Sequence, residues 1–432
     1  MNFYNLKHKE EQLNFKEATI KGQGKDKGLF FPEDISKFSN EFLQNLPNLS
    51  NEEIAFQVMK DFAGDEIPEA ELRKIVAETI AFDIPLKKVT ENISVLELFH
   101  GPTLAFKDVG ARFMSRCLGY FLKNETRKVT VLVATSGDTG GAVANGFYDV
   151  EGIEVVILYP KNRVSPVQEK QLTALGKNIH ALEVNGSFDD CQALVKQAFS
   201  DESLNEKLLL TSANSINVAR WLPQQIYYVL ALKQWLKNNS ENPVICVPSG
   251  NFGNICAGIL AHHRGLPVEH FIAACNVNDV VPEYLRTEIL QPKETVATIS
   301  NAMDVGDPSN FVRILELFDK EFNQVKNKLS GYTIDDGETL KTIERVEKDY
   351  GYVLDPHGAV AFVALEKYLA ENGGKGFFLE TAHPVKFPDS VEKATGKSVE
   401  IPKSLEELMK QEKFTTEINP QYEELKEFLL KK

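Results

Sequence analysis

The feature that most constrains the fold is a repeated unit: a short, continuous apolar run that stops at a glycine-containing turn and passes into a helix-patterned stretch. Val-Thr-Val-Leu-Val-Ala (129–134) leads into Thr-Ser-Gly-Asp-Thr-Gly-Gly and then Ala-Val-Ala-Asn-Gly-Phe. The apolar run recurs at Glu-Val-Val-Ile-Leu-Tyr-Pro (154–160), at Pro-Val-Ile-Cys-Val-Pro (243–248) and at His-Phe-Ile-Ala-Ala-Cys-Asn (270–276). A strand that is apolar on both faces needs cover on both faces, which a parallel sheet flanked by helices provides. The fold class is α/β, and ligands belong at the carboxyl ends of the strands.

The chain has 432 residues, room for two or three domains at ~150 residues each. Residues 1–95 read as an N-terminal, mostly helical region, in which the glycine-rich stretch 22–32 is a structural turn because no strand-then-helix context surrounds it. An α/β domain is expected over 96–230 and a second over 231–395. The Lys- and Glu-rich stretch 396–432 is expected to be a helical tail with a solvated face. With 48 basic against 62 acidic residues the net charge is −14, which repels phosphate backbones and argues against nucleic acid as a partner. Neither a signal peptide nor a membrane-length apolar run is present, so no membrane partner is expected. Five cysteines without a Cys-x-x-Cys pair imply reduced thiols, no metal and a cytoplasmic location. Monomer and homodimer both remain open.

Three segments carry chemistry. In Ser-Gly-Asn-Phe-Gly-Asn (249–254) an apolar strand runs into Gly250 and Gly253 and opens a helix, leaving free N–H groups at the positive end of the helix dipole. That is a phosphate cradle, and without the Gly-Lys-Ser/Thr ending of a nucleotide loop it suits a small phosphomonoester. Close packing is the alternative use of such a turn. Thr-Ser-Gly-Asp-Thr-Gly (135–140) has the same placement, and its amides with Ser136 and Thr139 can take a second anion such as a carboxylate. Asp138 either caps the helix or accepts a bond from a ligand. In Leu-Phe-His-Gly-Pro-Thr-Leu-Ala-Phe-Lys-Asp (98–108), Lys107 stands in apolar company that would make it a nucleophile, the alternative being a surface ion pair with Asp108. A nucleophilic lysine together with a monophosphate cradle is what pyridoxal 5'-phosphate requires.

His-Gly-Pro-Thr-Leu-Ala-Phe-Lys-Asp, Thr-Ser-Gly-Asp-Thr-Gly, Ser-Ala-Asn-Ser-Ile-Asn, Pro-Ser-Gly-Asn-Phe-Gly-Asn, Asn-Ala-Met-Asp and Glu-Thr-Ala-His-Pro-Val-Lys-Phe occur in this order from about 98 to 387. Together with Gly-Leu-Phe-Phe-Pro (28–32) they resemble the threonine synthase family. The resemblance implies a fold type II pyridoxal enzyme, with two helix-covered parallel-sheet domains, that makes L-threonine and phosphate from O-phospho-L-homoserine and water. It also implies that Lys107 is the Schiff-base lysine and that Gly250, Asn251, Phe252, Gly253 and Asn254 hold the cofactor's phosphate. Thr381 would face the pyridine nitrogen, a neutral partner that favours elimination and replacement over transamination. Asp138 would flank the cofactor's 3'-oxygen, where a carboxylate needs a shared proton or a compensating cation. Thr135, Ser136, Gly137 and Thr139 would hold the substrate carboxylate, and Ser215, Asn217 and Arg220 its phosphate, unless Arg220 is spent on an internal salt bridge. His100, His357 and His383 are expected to be structural. The rival readings are a serine/threonine dehydratase or cysteine synthase of the same fold type, which needs no second phosphate site, and a non-catalytic binding homologue, which needs no imine. A dinucleotide-binding protein is a third, and the sequence lacks its Gly-x-Gly-x-x-Gly signature.

Overall fold

The computed structural model describes residues 1–123 and 128–431, so Lys432, the last residue of the expected tail, lies outside the described residues. The chain opens on three short strands, β1 (Asn2–Asn5), β2 (Gln12–Asn14) and β3 (Phe30–Pro32), paired antiparallel in the order β2-β1-β3. The N-terminal region therefore combines a small sheet with its helices, among them Asn51–Ala63 and Glu69–Thr79. These strands are too short to show a period in the sequence, and what fixes them is burial of Phe3, Phe30 and Phe31 in the main core. The glycine-rich loop closes on itself, with Gly22 at a φ of 72° ending a helix and Gly24 N–H donating to Gly28 O at 2.9 Å.

Next come β4 (Leu86–Lys88), β5 (Ile93–Glu97), β6 (Val129–Ala134), β7 (Ile153–Pro160), β8 (Ile179–Val184) and β9 (Leu209–Ser212). They are followed by β10 (Val244–Pro248), β11 (His270–Cys275), β12 (Leu329–Thr333), β13 (Gly376–Glu380) and β14 (Thr415–Ile418). One sheet, β14-β8-β7-β6-β9, is parallel throughout. The other, β12-β11-β10-β13-β5-β4, is parallel except for β4, which runs antiparallel to β5. The four apolar runs singled out above are β6, β7, β10 and β11, and every residue of β6, β10 and β11 is buried.

The sheets draw on distant parts of the chain. The expected limit at 95/96 falls inside β5, which pairs with β13 near the end of the sequence. The tail is not helical throughout: β14 extends the edge of the five-stranded sheet beside β8, between the helices Lys403–Lys410 and Tyr422–Leu430. Ile418, Leu425 and Leu429 explain why, since they enter the same apolar cluster as Leu182 and Val184 of β8. Among the described residues no helix is long and apolar enough to cross a membrane.

Strand direction makes the site. The five strands β5, β6, β9, β10 and β13 deliver their carboxyl ends to the segments 98–107, 135–140, 213–217, 249–254 and 381–387, where a parallel sheet places its ligands. Bonds between these segments join the two sheets. Lys386, after β13, meets Asp138, after β6, and Asn251, after β10, meets Ser215, after β9.

Candidate active site

The chain leaving β5 reaches Lys107 through a bend at Leu104, whose φ of 56° puts a leucine in the left-handed region. Such a conformation costs on the order of 1 kcal/mol and persists only where its surroundings over-determine it. Here Leu98 N–H donates to Glu380 O (3.0 Å), Phe106 N–H to Thr381 O (2.8 Å) and His383 N–H to Leu104 O (3.0 Å). The Tyr227 hydroxyl adds a bond to Phe106 O. Lys107 is the first residue of the helix Lys107–Phe121. Its ammonium makes no hydrogen bond or ion pair among the described residues and lies 5.7 Å from the centre of the Phe106 ring. The surface pair with Asp108 does not form, because Asp108 is buried and accepts from Thr103 N–H (2.9 Å) and Thr103 Oγ1 (2.5 Å). Burial lowers the Lys107 pKa to about 8, Lys386 and Arg220 press in the same direction, and Asp138 opposes them. A lysine so placed supplies a free amine near neutral pH.

Asp138 opens the helix Asp138–Phe147, and its Oδ1 accepts from Gln168 Nε2 at 2.9 Å and pairs with Lys386 Nζ at 2.7 Å. Burial pushes its carboxyl up, but the Lys386 and Lys107 ammoniums outweigh this and hold it well below the usual carboxylate range. The sequence left open a shared proton or a compensating cation, and the cation is Lys386. In the same turn Thr135 Oγ1 accepts from Gly137 N–H (3.0 Å) and Gly140 N–H (2.9 Å), which fixes the loop and leaves its hydroxyl proton to donate. Gly137 is required here: its φ is 136°, and a Cβ would lie 2.5 Å from the Gln168 side chain. Ser136 and Thr139 are half-buried at the loop's surface.

After β10 the chain turns through Phe252, a non-glycine residue at φ 60°, into the helix Gly253–His263. A Cβ at Gly250 would sit 2.6 Å from Met303 Cα, so the 301–304 segment packs directly on this turn. Among the described residues none of the amides of Gly250, Asn251, Phe252, Gly253 and Asn254 donates to another protein group. Asn254 Oδ1 accepts from the Tyr228 hydroxyl at 2.6 Å, while its buried Nδ2 has no partner. Asn251 is held on three sides: its Nδ2 donates to Ser215 Oγ (2.7 Å), its Oδ1 accepts from Ser309 N–H (2.7 Å) and its carbonyl from Asn310 Nδ2 (3.1 Å). Arg313 completes this frame, donating to Asn310 Oδ1 and to Ile216 O at 2.7 Å each.

Arg220 is 3% exposed. Among the described residues it has no carboxylate partner, so the internal salt bridge does not form. One N–H donates to Ala213 O, Nε has no partner, and burial lowers its pKa to about 10. Gly110, one turn after Lys107, permits the approach, since a Cβ there would meet Arg220 O at 2.6 Å and Nε at 3.1 Å. Asn217 is turned inward and fully engaged: Oδ1 caps the helix Val218–Trp221 through Ala219 N–H (3.0 Å), and Nδ2 donates to Thr19 O (2.9 Å) and Ser212 O (3.2 Å). Its part is to set the start of the helix that carries Arg220.

Thr381 is buried beside Lys107's loop. His100 bonds Glu97 (2.6 Å) and His383 accepts from Val385 N–H (3.1 Å). His357 pairs with Asp355 (2.5 Å) and accepts from Ala302 N–H (3.2 Å). Sequence reasoning missed Lys386, Gln168, Tyr228, Asn310 and Arg313. Only Lys386 gave a signal, a lone lysine between the apolar Val385 and Phe387.

The family models that match describe a pyridoxal-phosphate dependent enzyme over residues 83–377, a threonine synthase N terminus over 2–80 and a threonine synthase C-terminal region over 358–429. A threonine synthase of Haemophilus influenzae is 46% identical, covering 100% of both chains. The chain belongs to the threonine synthase family. The crystal structure of threonine synthase from Escherichia coli superposes with a TM-score of 0.93 at 44% identity, covering 100% of each chain. The PLP-bound threonine synthase of Brucella melitensis gives 0.93 at 35% identity, covering 99% of this chain and 98% of that one. As a family member the protein is a pyridoxal-phosphate-dependent carbon–oxygen lyase with threonine synthase activity, acting on a small molecule in amino-acid biosynthesis. Its own residues fit the cofactor, since among the described residues the site holds an unpaired lysine, five unengaged amides at a helix N-terminus and an unpartnered Asn254 Nδ2 beside them.

Proposed function

We propose that the substrate is O-phospho-L-homoserine, converted with water into L-threonine and phosphate. The observation that carries this is Arg220, a buried guanidinium that among the described residues has an unpartnered Nε and no carboxylate partner, close enough to Lys107 to lower its pKa. A dehydratase or cysteine synthase substrate would give such a group nothing to bind. Arg220 with Ser215 takes the substrate's phosphate, and Asn217 fixes the helix on which Arg220 sits. The loop Thr135, Ser136, Gly137 and Thr139 takes the substrate carboxylate.

Gly250 to Asn254 would hold the cofactor's phosphate, with Thr381 toward its pyridine nitrogen and Asp138 toward its 3'-oxygen. When bound, the cofactor supplies an electron sink. Lys107 would anchor it and, as a free amine, would remove the substrate's α-proton and return protons to the substrate carbons. Phosphate leaves the γ-carbon under the charge of Arg220, and water adds at the β-carbon. A cytoplasmic setting agrees with the five cysteines, all unpaired and buried. The test is stoichiometry: one phosphate and one threonine per O-phospho-L-homoserine consumed are expected. Release of ammonia and an oxo acid in their place overturns the reading.

A further inference from the structure

Lys386 is fully buried, a position that lysine occupies only when paired. Its Nζ lies 2.7 Å from Asp138 Oδ1 and donates to Thr103 O at 2.9 Å. The segment that carries it is pinned across the site, through the bonds of Thr381 O and His383 N–H to the Lys107 loop. Three charged groups face Lys107: Asp138 from the turn after β6, Lys386 from the segment after β13 and Arg220 from the helix Val218–Trp221. Around Lys386 stand Asp138, the buried Asp108 and, more weakly, His383. Of these, Asp138 is the group that holds Lys107 as an ammonium. An ammonium is useless for imine formation and for proton abstraction.

We propose that Lys386 is a positioning residue: by occupying the Asp138 carboxylate it releases Lys107 from that charge, so that Lys107 meets the cofactor's aldehyde and the substrate as a free amine. The inference rests on the placement of Lys107 and Asp138 proposed above. In the step concerned the Lys107 nitrogen bonds the aldehyde carbon, and the aldehyde oxygen departs as water carrying both amine protons. Lys386 neither gains nor loses a proton in it.

The experiment follows condensation of pyridoxal phosphate with the cofactor-freed full chain, read from the visible band as a function of pH. In the unsubstituted protein the rate rises with a midpoint near the Lys107 value of about 8. In Lys386→Met the midpoint is expected to climb by about one unit, which slows condensation about tenfold at neutral pH. Lys386→Arg keeps the charge and stays near the original midpoint. Because Lys386→Met strands a buried carboxylate and can fail to fold, the double variant Lys386→Met, Asp138→Asn removes both charges together. Its midpoint is expected at or below that of the unsubstituted protein. A folded Lys386→Met with an unmoved midpoint, or a double variant with a raised one, overturns the proposal and leaves Lys386 a structural ion pair. Condensation at a lysine other than Lys107 in the unsubstituted chain overturns instead the site reading on which it rests.

Discussion

Removing the Arg220 guanidinium separates a phosphate-handling site from every other use of this fold. In Arg220→Ala the helix Val218–Trp221 keeps its Asn217 cap and the 249–254 turn keeps its frame of Asn251, Asn310 and Arg313, none of which bonds the Arg220 side chain. Among the described residues only the side-chain bond to Ala213 O is lost. A charge-assisted fork to phosphate in a partly dry site is worth ~2–4 kcal/mol, so kcat/KM for O-phospho-L-homoserine should fall roughly 30- to 1,000-fold. One correction is needed. Arg220 also helps to lower the Lys107 pKa, so the variant's amine titrates above the original value of about 8, and the comparison is made on full pH profiles. Phosphate release measures turnover, visible absorbance measures bound cofactor, and inorganic phosphate as a competitive inhibitor measures the subsite directly. The expected pattern is an intact visible band, a large loss of kcat/KM and weakened inhibition by phosphate. Arg220→Lys should recover only part of the loss, because an ammonium keeps the charge and gives up the fork. Unchanged kcat/KM, or loss of the cofactor band, refutes the assignment.

Lys107→Ala should keep the fold by circular dichroism and lose turnover by orders of magnitude if, as proposed, one side chain anchors the cofactor and moves the protons; near-normal activity would remove it from the mechanism. Thr381→Asp places an anion at the position proposed to face the pyridine nitrogen and should raise transamination relative to threonine formation, and unchanged product ratios would mean that Thr381 lies elsewhere. Burial first and the neighbouring Asp355 next raise the Glu380 carboxyl well above its usual range. A carboxyl raised in the fold keeps its proton where the unfolded chain has lost it, so its contribution is full below ~4.3 and declines as pH climbs toward the folded value. Glu380→Gln cannot titrate, and its amide can donate to the unpartnered Asp355 Oδ2. Its urea midpoint should therefore fall less than that of the unsubstituted protein between about pH 5 and pH 8, and equal declines would mean that Glu380 is ionised in the fold.

How much was legible in the sequence followed from how local each signal is. Strands β6, β10 and β11 are buried along their whole length, so their apolar runs stand out without any partner. Edge and terminal strands do not. Leu-Lys-Lys in β4 and Thr-Thr-Glu-Ile in β14 are short and polar, and each is a strand only because another strand offers its edge, β5 just along the chain for β4 and the distant β8 for β14. The same distinction runs through the site. Lys107, the 135–140 turn and the 249–254 turn carry their chemistry in contiguous residues. Lys386 acquires its role only by meeting Asp138 across the two sheets, a pairing that no local pattern encodes. Asn217 shows the opposite limit: a polar residue in the right motif whose side chain is spent inside the protein, capping a helix through Ala219 N–H and donating to Thr19 O and Ser212 O.

The central claim is that Lys107 is the residue on which pyridoxal phosphate is carried. The direct measurement is borohydride reduction of the purified protein followed by peptide mapping of the fixed cofactor. A visible absorbance band that disappears on reduction and a single labelled peptide containing Phe106, Lys107 and Asp108 are expected. A label on the Lys386 peptide, or no visible band in protein reconstituted with pyridoxal phosphate, would contradict it.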